Sequence, residues 1–346
     1  MKVESILICT SQVPLHYGGT EVLVLSLQQA LRKRGFRVDV VNIPFRHYPV
    51  EEVLKGHLVW RLMNLTESDG EKVDMVIATK FPSYLVQHPN KVTWLVHQFR
   101  QAYDFVGTEL SPFPNEEDPL LQTIRRLDTA SLAESRRLFA ISANVALRLA
   151  RYNGLQAKPL YPPPQHEGLY HNTGYGDYVL SIGRLNYLKR LSTLIEAMAL
   201  TKSAARCLIV GEGPEEAKLK RLAKDRGVEA KVEFLGFVDE PHLLDLYAGC
   251  FAFFFAPYDE DYGLVTLEAF NSEKPIIAAA DSGGVLEFVE DGENGYVAPR
   301  GSPEEFAEYI DRLYADRALC QRLGQAGRER VRDITWERTI DQLLGV

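Results

Sequence analysis

No two cysteines in this sequence are spaced to grip a metal or to staple a small fold. The four present, Cys9, Cys207, Cys250 and Cys320, lie far apart and form no CxxC pair. Neither a zinc site nor a disulfide framework is indicated. Cys9 and Cys250 sit in apolar runs, where a thiol behaves as a small buried hydrophobe, and a reducing compartment fits. No run approaches the ~18 apolar residues that a membrane-spanning helix needs. The opening MKVESILICTS has a short apolar core and reads as a first buried strand, not a signal peptide. Gly, Ser or Gln tracts and fixed-period repeats are absent, so neither disorder nor a solenoid is suggested. Basic charge is also short. The net charge of −8 argues against a general binder of nucleic acid. Residues 1–170 carry 19 Lys and Arg against 17 Asp and Glu, and the remainder carries 20 against 30. The less acidic first half leaves room for an acidic or membrane-surface acceptor.

What is present is ordinary for a globular chain: 46% apolar and 25% charged residues. A length of 346 residues suits two domains of about 150 residues each. The first half opens as a strand at 6–9, a loop over 11–19 ending in Gly18-Gly19, a helix from Thr20 stopped by Gly35, and a second buried strand at 38–43. Strands are expected at 75–78, 92–96 and 138–141. A helix over 119–137 would carry Arg125, Arg126, Arg136 and Arg137, and 99–118 reads as a long loop over a cleft. Tyr161-Pro162-Pro163-Pro164-Gln165 is the clearest domain boundary, because three prolines continue neither a helix nor an inner strand. The alternation then restarts. Strands are expected at 178–182, 207–210, 232–235, 251–255 and 275–280. The interleaved helices fall at 190–200, 215–226, 241–248 and 263–270, with two long helices at 303–315 and 318–332 and a tail from Trp336. Two doubly wound α/β domains follow, with ligands expected beyond the carboxyl ends of the strands.

The loops at those ends carry the chemistry. Ala256 to Glu268 holds two glutamates eight apart, Glu260 and Glu268, with Tyr262-Gly263-Leu264-Val265 between them. A helix beginning at Gly263 would aim free amides at a phosphate, and glycine lets it approach the backbone. Two solvated glutamates of an acidic chain share this spacing; placement after an apolar strand favours a site. In the loop after 178–182, Gly183 is followed by Arg184 and Lys189, candidates to neutralise a diphosphate, and by Arg190, which reads as a surface charge. Gly211-Glu212-Gly213-Pro214 resembles half of a dinucleotide fingerprint but has no third glycine; a tight turn passing a nucleotide base fits better. Ser282-Gly283-Gly284 is either an anion nest or a plain turn. In the first half, Gly18-Gly19 lies between strand and helix, and His97 closes an apolar strand.

Taken in order, these residues resemble the retaining family-4 glycosyltransferases of the GT-B fold. Glu260 to Glu268 with the inner Gly-Leu matches that family's EX7E motif, and the likeness runs over nearly the whole chain, strongest over 178–298. The resemblance implies two Rossmann-like domains facing a cleft. Residues 1–165 would bind an acceptor, 166–330 a nucleotide sugar, and 331–346 would cross back to the first domain. Arg184 and Lys189 would hold the donor diphosphate, Glu260 the donor sugar and Glu268 the ribose. Gly263, Leu264 and the neighbouring Tyr262 and Val265 would meet phosphate or sugar. Gly183, Gly211, Glu212 and Gly213 would complete the donor site, with Gly18 and Gly19 lining it from the first domain and His97 beside the transferring sugar. The family often has Asp after that histidine; here Gln98 stands, so any role of that Asp does not transfer.

The implied activity is metal-independent transfer of a hexose, with retention, from a UDP- or GDP-sugar to a glycan, lipid-linked or small-molecule acceptor, as in cell-envelope polysaccharide synthesis. No cofactor and no nucleic acid are implied; a cytoplasmic location is, with peripheral contact at the inner face of a membrane. Asp259-Glu260-Asp261 also spells the DxD that binds a metal in the GT-A fold, but here it follows a whole first domain. A nucleotide-sugar epimerase, a phosphorylase or a non-catalytic binder would use the same fold.

Overall fold

The computed structural model describes residues 3–15 and 18–346. Met1 and Lys2, at the head of the expected first strand, and His16 and Tyr17, in the expected 11–19 loop, lie outside the described residues. The chain divides into two compact units, one of residues 1–165 with 335–346 and one of residues 166–334.

The first unit is wound on a six-stranded parallel sheet in the order β2-β1-β5-β6-β7-β8. Its strands are β1 (Ser5–Gln12), β2 (Arg37–Pro44), β5 (Met75–Ala78), β6 (Lys91–Leu95), β7 (Arg137–Ala140) and β8 (Lys158–Pro159), and a small hairpin is made by β3 (Glu67–Ser68) and β4 (Glu71–Lys72). Every residue of β5 and β6 is buried, which is why both read as unbroken apolar runs. β2 is not the buried strand expected. It is the sheet edge, and only Val38 is fully buried.

The helices are α1 (Gly19–Lys33), α2 (Glu52–Leu62), α3 (Pro119–Ala133), α4 (Ala143–Asn153) and, after the second unit, α11 (Trp336–Leu344). α3 starts where Asp118 accepts from the amides of Leu120 and Leu121 with Pro119 at its first position. It ends four residues before the expected 137. Arg136 donates its amide to the Lys91 carbonyl, and Arg137 opens β7 opposite Val92. The segment 99–118 is a long loop, as expected, with a single short helical turn at Arg100–Ala102, and it is packed rather than open. Phe99, Ala102, Tyr103 and Phe113 are buried, Arg100 pairs with Asp104 and Arg125 with Glu116. α11 is capped by Thr335 and ended by Gly345 in the left-handed region; Trp336 meets Trp94 edge-on, 6.3 Å between ring centres.

The second unit repeats the plan with the order β11-β10-β9-β12-β13-β14. These strands are β9 (Tyr178–Ile182), β10 (Arg206–Val210), β11 (Val232–Gly236), β12 (Ala252–Phe254), β13 (Ile276–Ala279) and β14 (Gly295–Ala298), all parallel. The helices are α5 (Leu191–Leu200), α6 (Glu216–Asp225), α7 (Glu240–Gly249), α8 (Leu264–Asn271), α9 (Pro303–Ala315) and α10 (Arg317–Val331). One core joins Leu194 and Ile195 of α5 to Phe254 of β12 and Phe306 and Ile310 of α9. All four cysteines are buried and unbridged; burial pushes the Cys250 thiol up to about 12. No helix among the described residues is long and apolar enough to cross a membrane.

Candidate active site

In the second unit the strand order reverses between β9 and β12, which lie side by side. A parallel sheet leaves a crevice at that switch point, because the helices after the two strands pack on opposite faces. The loops leaving β9 and β12 are therefore the ones the topology assigns to a ligand, and they hold Arg184, Lys189, Glu260 and Gly263.

Three loops are stitched together there. The Tyr258 amide donates to the Leu188 carbonyl at 2.8 Å, that of Asp259 to Asp281 at 2.8 Å, and that of Gly284 to Glu260 at 2.8 Å. Across this seam Lys189 Nζ meets Glu260 Oε2 at 2.6 Å and lies 5.0 Å from the centre of the Phe255 ring. The proposed diphosphate lysine and sugar glutamate, 71 residues apart, thus share one half-buried ion pair. Arg184 is exposed, and its side chain makes no ion pair among the described residues. Arg190 is held otherwise, by two bonds of 2.7 and 2.5 Å to Asp281, with its guanidinium 5.1 Å from the Tyr258 ring centre. The guanidinium in turn holds the Asp281 carboxyl below its usual range. Arg190 is therefore a half-buried clamp between loops and not the solvated surface charge expected.

Gly263 caps α8 at φ 81°, and a Cβ there would stand 2.7 Å from the Phe255 ring. Leu264 and Val265 form the first turn, whose amides have no intrahelical acceptor. Tyr262 is buried edge-on against Phe288. Glu268, one turn further, is half-buried and accepts from the Tyr247 hydroxyl at 2.6 Å. Burial raises its carboxyl above the ordinary value, and that hydrogen bond acts in the opposite direction. Tyr247 carried no sequence signal: it is one tyrosine on an apolar helix face. Among the described residues no group of three His, Cys, Asp or Glu side chains is placed to hold a metal ion.

The glycines of the neighbouring loop have a structural cause. A Cβ at Gly211 would lie 2.1 Å from the Gly183 carbonyl oxygen, and one at Gly213 2.3 Å from that of Leu185. The two loops run backbone to backbone, with the Gly183 amide donating to Val210 at 3.0 Å and the Leu185 amide to Glu212 at 3.0 Å. Gly183 itself, at φ 151°, faces open space. At Gly283-Gly284 the turn reading fits: a Cβ on Gly284 would stand 2.5 Å from the Asp261 carbonyl oxygen, and its amide already donates to Glu260.

In the first unit Gly18 is the extended N-cap of α1, and its amide donates to Glu21 Oε2 at 3.0 Å. Glu21 also pairs with Lys80 at 2.7 Å, so the Gly18-Gly19 turn is tied to the end of β5. His97 follows β6, half-buried, with Nδ1 2.8 Å from the Gln98 carbonyl oxygen. Gln98 is wholly buried. Its amide donates to Asn153 at 2.9 Å, and Asn153 reaches Tyr103, whose hydroxyl donates to Asp128 at 2.8 Å. The position where the resembled family often has Asp therefore serves the interior of this unit. Arg125 is also engaged inward, on the Ala102 carbonyl and beside Tyr103 and Tyr152, so the four arginines form no single basic stripe.

The sequence model described as Glycosyl transferases group 1 matches residues 173–330. D-inositol 3-phosphate glycosyltransferase of Nocardia farcinica is 31% identical, over 94% of this chain and 84% of that protein. The chain spans less than half the length of other curated relatives that it matches, 46% of one and 43% of another. Among solved structures, sucrose-phosphate synthase of Thermosynechococcus elongatus superposes with a TM-score of 0.78 at 22% identity, covering 98% of this chain and 97% of that one. Anabaena HepE in complex with UDP and glucose gives 0.71 at 19% identity, with 98% of each chain covered. With a relative 31% identical and covered over 84% of its length, the chain belongs to the glycosyl transferases group 1 family, and its fold is GT-B.

Proposed function

We propose that this protein transfers a hexose, with retention and without a metal, from a UDP- or GDP-sugar to a glycan, lipid-linked or small-molecule acceptor. The observation that carries the reading is the meeting of Lys189 and Glu260 at the β9/β12 switch point, beside the start of α8 and an uncommitted Arg184. Relatives named as glycosyltransferases and a structural neighbour holding UDP support the donor class.

Breaking the bond between sugar and diphosphate develops positive charge at the anomeric carbon and negative charge on the departing phosphate. Arg184, Lys189 and the first amides of α8 are groups that stabilise that negative charge. Lys189 would exchange part of its bond to Glu260 for the diphosphate, leaving Glu260 to accept from sugar hydroxyls and orient the ring. Departure and attack on the same face give retention, with the leaving phosphate taking the acceptor proton; no protein nucleophile is invoked. Roles for Gly18, Gly19 and His97 at the donor rest on the family resemblance, as does acceptor binding by the first unit. A lipid-linked acceptor would bring the protein to a membrane surface, which co-sedimentation with vesicles tests.

The deciding experiment is a thermal-shift panel of UDP, GDP, ADP, NAD and their sugar conjugates in EDTA. One nucleoside diphosphate and its sugar should raise the melting temperature of the parent protein and not that of Arg184→Ala. A response to NAD alone, or to none, overturns the reading. In the transfer assay, EDTA should leave turnover unchanged; a complete loss restored by Mn²⁺ would instead make Asp259-Glu260-Asp261 a metal site.

A further inference from the structure

We propose that Tyr247 is a positioning residue of the nucleoside site: its buried hydroxyl fixes one carboxylate oxygen of Glu268 so that the other is presented to the ribose diol. The inference rests on the reading of Glu268 as the ribose acceptor. Tyr247 is fully buried on α7, with Tyr170 edge-on at 6.0 Å and Phe253 tilted at 5.4 Å. Packing therefore sets the direction of its hydroxyl, and that direction ends on Glu268 Oε2 at 2.6 Å, the length of a charge-assisted bond to a carboxylate. The second oxygen of Glu268 has no protein partner among the described residues, and the side chain is only half-buried. Tyr178 in the same unit gives its hydroxyl to the Leu246 carbonyl at 2.8 Å, and Tyr103 in the first unit gives its own to Asp128, a carboxylate with no exposed surface. Tyr247 instead donates to a carboxylate of another helix that is only half-buried. Two consequences follow. The carboxylate is held in one rotamer before the nucleotide arrives, which lowers the cost of ordering it on binding. The bond also opposes the rise that burial imposes on the carboxyl, which favours the ionised form, the stronger acceptor for the hydroxyls of a diol.

The test is calorimetric titration of UDP and 2′,3′-dideoxy-UDP, with GDP and 2′,3′-dideoxy-GDP in parallel, into the parent, Tyr247→Phe, Glu268→Ala and the double variant. Tyr247→Phe should bind the natural nucleotide about tenfold more weakly and the dideoxy form as the parent does. The double variant should be no weaker than Glu268→Ala. Because the hydrogen bond lowers the Glu268 pKa, its loss should move the acid limb of nucleotide affinity to higher pH. Glu268→Asp shortens the reach and spares the packing of Tyr247; it should show the same ribose-dependent loss, and so tests the contact even where Tyr247→Phe folds poorly. Equal weakening toward both nucleotide forms, additive losses in the double variant, or parent-like binding by Tyr247→Phe overturns the inference alone. A parent protein that binds neither UDP nor GDP overturns the donor reading as well.

Discussion

Exchange of Arg184 for alanine should lower kcat/KM for the nucleotide sugar by about a hundredfold, with the melting temperature of the nucleotide-free protein unchanged. The second half follows from its surroundings. The side chain is exposed and makes no ion pair among the described residues, and surface substitutions of that kind shift stability by no more than ~0.5 kcal/mol. The first half follows from the charge it would meet. A hydrogen bond to a charged group contributes roughly 1.5–3 kcal/mol, and about 2.7 kcal/mol is a hundredfold in rate. Negative charge on the leaving phosphate grows toward the transition state, so part of the loss should fall on kcat as well as on KM. Arg190, six residues on, supplies the contrast. It is engaged by Asp281 and Tyr258, so Arg190→Ala should loosen the seam between loops and lower the melting temperature, with a smaller kinetic effect. Steady-state kinetics and melting curves on both variants separate the two arginines. Full kcat/KM in Arg184→Ala beside a large loss in Arg190→Ala would exchange their roles.

Much of this architecture is visible in the sequence because the central strands are buried on both faces. β5, β9, β10 and β12 read as apolar runs, and the glycine-bearing loops that follow β9 and β12 are then located by topology alone. Edges and ends are less legible. The residues of β2 favour an extended chain whether it is covered or not, and only its place in the sheet order exposes it. The helix expected to run through Arg137 stops because Arg137 pairs with Val92, a partner 45 residues earlier in the chain. The signals of α4 lie at its ends: Ser142 caps it by accepting from the Val145 amide, and Gly154 ends it at φ 66°. Pairings at long separation, Lys189 with Glu260 or Tyr247 with Glu268, have no local signature at all. The motif names two glutamates, but not what holds them.

Gly211→Ala is the second large effect, and it should be seen with no nucleotide present. Sequence reasoning gives the Gly-Glu-Gly turn to the passage of a nucleotide base, since a missing Cβ is what a close ligand requires. A missing Cβ is equally what a close backbone requires, and the nearest atom to the added methyl is the Gly183 carbonyl oxygen at 2.1 Å. That oxygen cannot simply withdraw. The Gly183 amide is bonded to Val210 at 3.0 Å, Leu185 to Glu212 at 3.0 Å, and Gly211 itself to Gly236 at 2.8 Å, so retreat would break the seam. Overpacking of this kind costs roughly 1–3 kcal/mol, and the backbone, at φ 118°, adds about 1–3 kcal/mol of strain for a residue with a side chain. A loss of about 3 kcal/mol lowers the melting temperature of a unit of this size by roughly 6–12 °C, readable by scanning calorimetry. Gly183→Ala is the counterpart. Beyond its chain neighbours its added methyl meets no atom within 4 Å, so without ligand it should show backbone strain alone, and any further loss should emerge when nucleotide is added. If Gly211→Ala instead melts with the parent and fails only in donor binding, the ligand, and not the neighbouring loop, is what excludes a side chain there.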